Sequence, residues 1–373
     1  MTERLAALLH AEADHVPVPP PPASDVLVAG RAARRRRTTG RLAAGGAVLA
    51  VAAIGVGAAT LGGDPAQRPG PPVASAPPDD DVGAAFALGD TVWLRGGAVS
   101  ARLPETVQAL YPTSAGLLVR TNRNGDSDGG APFHFSLVTE DGTVRDLGLT
   151  LGEVVPSTDP AEPYLAFADV EQGQIEAVVV DVRSGEEAAR VDVPGDFTWG
   201  GWEAPPVALS GDDVYVGTDG PTQIVDWRTG TTTTSTVLTE SGAPAVTGGR
   251  VVGAQGRTHT VRDAQTGEVL LSVQGPRFAY LTLSPDGRWA KVVDQDAPSG
   301  FDVYSVADGT HVSFPGQAWD SGWTTDGTLF SITKGGLETC EAATAQCTTT
   351  PLPDGFAPGK NDLVRVLGAT YES

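Results

Sequence analysis

From residue 114 onward two series of tight turns alternate along the chain, and this regularity limits the possible folds more than any other feature. Turns of the first series follow an apolar stretch and precede a short strand-like one. They are Ser114-Ala-Gly116, Asp159-Pro-Ala-Glu162, Ser210-Gly-Asp212, Gly248-Gly249, Ser284-Pro-Asp-Gly287 and Thr325-Asp-Gly327. Turns of the second series join a strand ending in a polar residue to another strand. They are Glu140-Asp-Gly142, Arg183-Ser-Gly185, Arg228-Thr-Gly230, Gln265-Thr-Gly267, Ala307-Asp-Gly309 and Ala343-Thr-Ala345. Spacing within each series is roughly 36–51 residues, and each second-series turn trails its partner by roughly 18–26, room for two strands and a loop. Hairpin turns of this kind need a positive φ, which glycine adopts without a Cβ clash. Six matched pairs mark six repeats of one four-stranded unit.

The segments between the turns agree with this reading. Ala177-Val-Val-Val-Asp-Val182 and Phe301-Asp-Val-Tyr-Ser-Val306 combine β-branched content with partial alternation. No long helical period occurs past residue 82. Six repeats leave both ends over: 85–103 holds two or three strands around Gly89-Asp90 and Gly96-Gly97, and 362–367 supplies one more. Pairing the two ends in one composite unit removes two unpaired sheet edges. The expected fold is therefore all-β, a β-propeller of seven four-stranded blades closed by both ends, with six or eight blades as the alternatives.

Two turns carry a resemblance. At Ser284-Pro-Asp-Gly-Arg-Trp289 and across Asp263–Glu268 the chain resembles the WD-repeat-like and TolB-like β-propellers of bacterial membrane and periplasmic proteins, over about residues 83–373. These motifs sit on turns and specify a fold rather than a chemistry. True WD repeats carry Gly-His and Trp-Asp in register, whereas here only Trp319-Asp320 appears, so the match is to the looser family.

The N-terminal part is of a different kind. Leu42 to Gly63 contains no charged residue, and a helix of that length spans the ~30 Å hydrocarbon core of a bilayer. Arg31, Arg34, Arg35, Arg36, Arg37 and Arg41 precede it, while Asp64 and Asp79-Asp80-Asp81 follow. That asymmetry orients a single-pass span with its N-terminus in the cytoplasm. The reading divides the chain into a tail at 1–41, a transmembrane helix at 42–63, a Pro/Asp-rich linker at 64–82 and the propeller at 83–373. A cleaved signal peptide is the competing reading, although its charged region is normally only a few residues long. In the tail, Thr2 to His10 reads as a short helix and Pro17 to Pro22 as polyproline. The layout resembles the N-terminal segments of bacterial membrane proteins encoded beside extracytoplasmic-function sigma factors. It implies a cytoplasmic protein partner for that short helix, with a frayed tail as the competing reading.

Charge separates the same two parts. The chain carries 25 basic and 46 acidic residues, a net of −21. Up to Arg41 the net is +3, from seven arginines and four acids, so the remainder carries −24. A domain this acidic repels nucleic acid and anionic headgroups and attracts cationic partners.

Four tryptophans, Trp199, Trp202, Trp319 and Trp323, occupy blade-entry segments. Loops entering innermost strands gather at a propeller's axial mouth. Trp199, Trp202, Asp320 and Trp323 are the candidate binding surface, for a partner with basic groups on the outer side of the membrane. Inter-blade packing is the competing role for these rings. Cys340 and Cys347 flank the last hairpin turn, where directly opposed strand positions come close enough for a disulfide. Asn122 to Asp128 places oxygen ligands at alternate positions like a calcium loop, yet lacks its terminal Glu; a polar hairpin tip accounts for it equally. His10, His15, His134, His259 and His311 form no H-x-x-x-H, and no Gly-x-Ser-x-Gly elbow is present. No catalytic residue, metal or cofactor is expected. The reading is a non-catalytic binding or sensing module, with an envelope scaffold as the alternative and an enzyme third.

Overall fold

The computed structural model describes residues 82–126, 130–198, 201–276, 279–294, 300–359 and 362–368. The tail, the arginine cluster, the Leu42 to Gly63 span and nearly all of the linker lie outside the described residues. So does Trp199. Among the described residues no helix is long and apolar enough to cross a membrane.

The described chain forms seven antiparallel sheets of four strands each. Blade 1 joins Phe86–Leu88, Thr91–Leu94 and Val99–Arg102 to the C-terminal strand Val364–Val366. Blade 2 runs from Thr106–Thr113 to Val144–Leu151, and blade 3 from Ser157–Thr158 to Glu186–Val193. Blade 4 runs from Val207–Ser210 to Thr231–Thr234, and blade 5 from Val246–Thr247 to Val269–Gln274. Blade 6 runs from Ala279–Leu283 to His311–Phe314, and blade 7 from Ser321–Trp323 to Cys347–Thr350. First strands touch between blades 2 and 3, 3 and 4, and 4 and 5, and Val364–Val366 touches the first strands of blades 2 and 7, which puts these strands innermost. The seven-bladed expectation holds.

Closure is composite. Val364–Val366 pairs with Phe86–Leu88, Phe86 opposite Val366, so the C-terminus supplies the innermost strand of blade 1. Phe86, Trp93 and Phe356 bury their rings together at this seam, with centroids 5.1–5.7 Å apart. The Trp323 amide donates to the Leu367 carbonyl at 2.9 Å and ties blade 7 to the same strand. Val82 is 1 % exposed and its carbonyl accepts from the Arg95 amide.

Packing between blades explains the sequence of the inner strands. A blade is covered on both sides, so its central strands are apolar at consecutive rather than alternate positions. In blade 3, Leu165, Phe167, Val178 and Val180 pack toward blade 2, while Ala166, Ala168, Ala177 and Val179 pack toward blade 4. The outermost strand Glu186–Val193 meets solvent and reads as mostly polar.

Both turn series fall on one face, since first-to-second and third-to-fourth strand connections of an antiparallel sheet lie at the same end. In the second series an aspartate accepts from backbone amides within its own turn: Asp181 Oδ1 from Arg183 N at 2.8 Å, Asp226 Oδ1 from Thr229 N at 3.0 Å, and Asp263 Oδ1 from Thr266 N at 2.7 Å. The fourth residue after each is the expected glycine, Gly185, Gly230 or Gly267, with φ between 71° and 79°. We call this the turn face. The opposite end, which carries the blade-to-blade connectors, is the entry face.

Candidate functional site

The expected binding surface divides. Trp323 belongs to the innermost strand of blade 7, is 0 % exposed, and packs with Val303, Phe314, Leu329 and Cys340 between blades 6 and 7. Its ring is core and cannot meet a ligand, a correction to the sequence reading. The reason is the two-sided burial of a blade: Trp323 ends its strand toward the turn face, where blade 6 covers the side chains of blade 7. Trp202 is half-buried in the connector between blades 3 and 4, away from the blade 6–7 junction where Trp323 lies. Asp320 stands exposed on the entry face at the end of a short 3-10 turn, Ala318–Asp320, that leads into blade 7.

Beside Asp320 the structure assembles what the sequence does not single out. Trp319 is 42 % exposed and Tyr280 40 %, with ring centroids 6.5 Å apart and tilted by 49°. Tyr280 starts the innermost strand of blade 6, and its neighbours Ala279 and Leu281 pack toward blade 5, so Tyr280 points toward blade 7. The pair is 39 residues apart in sequence but adjacent on the ring.

Under this lip lies Lys291, in the second strand of blade 6. It is 4 % exposed, and its Nζ donates to the Ala318 carbonyl at 2.7 Å, the Ser321 carbonyl at 2.9 Å and Ser321 Oγ at 3.0 Å. An ammonium has three N–H donors, and each meets an oxygen of the segment that carries Trp319 and Asp320. No carboxylate among the described residues pairs with it, and burial pulls its pKa from the usual 10.5 down to about 7. The rings of Phe301 and Trp323 lie 5.9 and 6.0 Å from the nitrogen, adding a modest attraction for the charged form.

Between blades 6 and 7 a groove of about 380 Å³ opens beside the lip. Phe301, Phe314 and Pro315 form its blade 6 wall; Ser321, Ser331 and Glu338 are on its blade 7 wall. Asp320 and Glu338 flank it, and neither carboxylate has a hydrogen-bond or ionic partner among the described residues.

Cys340 and Cys347 face each other in register and are joined in a disulfide. Glu338 with these two cysteines is the one cluster of potential metal ligands among the described residues. Its sulfurs are bonded to each other, so it offers no thiolate. In the 122–128 segment, Asn122 is fully buried and holds the loop itself, accepting from the Gly125 amide and donating to the Asp126 carbonyl. Asn122 Oδ1 and the Asp126 carbonyl thus serve the hairpin tip, while Ser127 and Asp128 lie outside the described residues. His134, His259 and His311 lie on blades 2, 5 and 6 respectively.

No protein-family model matches the chain, and no curated relative matches it. Solved propellers resemble it in fold. TolB from Acinetobacter baumannii is 13% identical over 64% of this chain and 65% of its own, with a TM-score of 0.41. AztD from Citrobacter koseri is 11% identical over 78% of this chain and 100% of its own, at 0.46. A candidate 6-phosphogluconolactonase from Bacteroides fragilis is 13% identical over 78% and 99%, at 0.44. The matched region thus spans slightly under two thirds of the TolB chain.

Proposed function

We propose that this chain is a membrane-anchored propeller whose outer domain captures a partner bearing basic groups, without acting on it chemically. The observation that carries the reading is the exposed Tyr280–Trp319 pair on the entry face, beside an Asp320 carboxylate with no partner among the described residues. Half-exposed aromatic rings beside a carboxylate suit a guanidinium or ammonium group, which gains both a ring face and a counter-charge. The net of −24 past Arg41 draws such partners in by long-range attraction. The uncharged stretch Leu42 to Gly63 and the arginines before it support a single-pass anchor, N-terminus inside. The segment Thr2 to His10 is then available to a cytoplasmic partner, of which a sigma factor is one example.

Titration with a labelled hexa-arginine peptide, against hexa-glutamate as control, tests the outer site. Trp319→Ala and Tyr280→Ala should each weaken hexa-arginine binding by about tenfold, a loss of about 1.4 kcal/mol, with the melting temperature unchanged. Equal binding of both peptides, or unchanged affinity in both variants, overturns the assignment. Protease added outside intact cells tests the anchor: cleavage should leave a stub in the membrane, whereas intact domain in the medium points to a cleaved signal.

A further inference from the structure

The blade 6–7 groove has a cause in the register of blade 7, and the cause indicates what would fill it. Two rows of side chains on that blade face blade 6. In one row Trp323 lies opposite Leu329, and Leu329 opposite Cys340. All three are buried against Val303 and Phe314. One step toward the entry face, Ser321 lies opposite Ser331, and Ser331 opposite Glu338. Here small hydroxyls and a half-exposed carboxylate replace the large apolar groups, while blade 6 still offers Phe301 and Phe314, stacked 5.5 Å apart. An apolar wall therefore faces a row too small to reach it, with Leu329, Phe330, Ile332 and Cys340 of blade 7 also lining the gap. The gap of about 380 Å³ falls within the range of about 300–1,000 Å³ that holds small ligands or a partner's side chains.

The charges around it are layered. Lys291 does not line the gap; its buried amine lies behind the lining residue Ser321, with all three donors engaged. An anion entering beside Ser321 would find no free donor on that amine. At the rim Asp320 and Glu338 keep carboxylates with no partner among the described residues. The arrangement accepts a neutral apolar group inside and a positive group outside.

We propose that the groove between blades 6 and 7 docks an extended protein segment with a large apolar residue beside an arginine or lysine. The apolar side chain lies against Phe301 and Phe314, and the basic one meets Asp320 and Glu338. This rests on the reading of the entry face as a site for basic partners and names the recognised pattern.

Three labelled nonapeptides test it on the purified full-length protein with its disulfide intact: alternating Leu-Arg, alternating Ser-Arg and alternating Leu-Glu. Leu-Arg should bind tightest, Ser-Arg more weakly and Leu-Glu not at all. Ser331→Trp fills the groove and should weaken Leu-Arg by about tenfold or more while leaving Ser-Arg unchanged. Glu338→Gln preserves shape and should weaken Leu-Arg by roughly threefold to tenfold; it decides between the outcomes if Ser331→Trp lowers the melting temperature. Should both variants bind Leu-Arg like the parent while Trp319→Ala weakens it, the groove assignment is wrong and the lip remains the site. Should the parent bind neither arginine peptide better than Leu-Glu, both readings fall.

Discussion

On the turn face, the carboxylates of Asp181, Asp263 and Asp286 each accept hydrogen bonds from amides of their own turns; on the entry face, those of Asp320 and Glu338 accept none from any described residue. Asp181 is held below the usual carboxylate range, first by its hydrogen bond from Arg183. For Asp263, burial pushes upward, and the hydrogen bonds from Thr266 and Gln265 more than offset it. The domain's acid is thus of two kinds. One kind shapes hairpins and is partly satisfied already; the other is left for something outside the molecule. A net charge counts both alike, and so overstates how much of an acidic surface is available for binding.

The aromatic residues sharpen this contrast most. Trp323 and Trp319 are four residues apart, one core and one lip. Trp323→Ala should cost about 3–5 kcal/mol in chemical denaturation, and Trp319→Ala no more than about 0.5 kcal/mol. Equal costs would show that the lip ring is structural, and the contrast between the faces would lose its main support.

Acid and alkali should act on different ends of the ring. Asp181 and Asp263 have folded values below their unfolded ones. Their contribution is present above about pH 4, the ordinary unfolded carboxylate range, and is lost as pH falls through the lower folded values. Lys291 is a base with its folded value lowered to about 7 from 10.5. Between those two pH values the unfolded chain binds more protons, so stability should rise with pH across that window. Melting temperatures from pH 6.5 to 10 should show this rise in the parent and a flatter curve in Lys291→Met. An unchanged slope would place the alkaline limb elsewhere.

A smaller effect isolates the turn face. Asp263→Ala removes acceptors for the Gln265 and Thr266 amides and should cost about 1 kcal/mol in urea unfolding, with Leu-Arg peptide binding unaltered. A loss of binding on that substitution would mean the two faces communicate.

The sequence reveals more of the turn face than of the entry face. An aspartate that organises its own turn acts within five residues, so Asp263 to Gly267 announces itself in one glance at the chain. Seven blades follow from six such turn pairs and two unmatched ends. Trp323 misleads because a strand between two neighbouring blades has no solvent side, and alternation there does not separate surface from core. Tyr280 escapes notice because its partner Trp319 comes from the next blade. Lys291 sits in an apolar run, Trp-Ala-Lys-Val-Val, where only the mismatch of one charge among apolar neighbours draws attention. The groove depends on which Ser and Glu stand opposite which, a register that no single strand records.

The composite blade also sets an order of events during synthesis. Phe86 and Val366 are separated by almost the whole propeller, so the ribosome must release the last strand before the first blade can be completed. Until then Phe86–Leu88 has one unpaired edge, open to other chains. Loop-closure entropy makes so distant a pairing late and slow. A nascent chain would therefore hold six nearly finished blades and one gap. Deleting Val364–Val366 should preserve that unfinished state and yield self-association in place of a simple loss of strand.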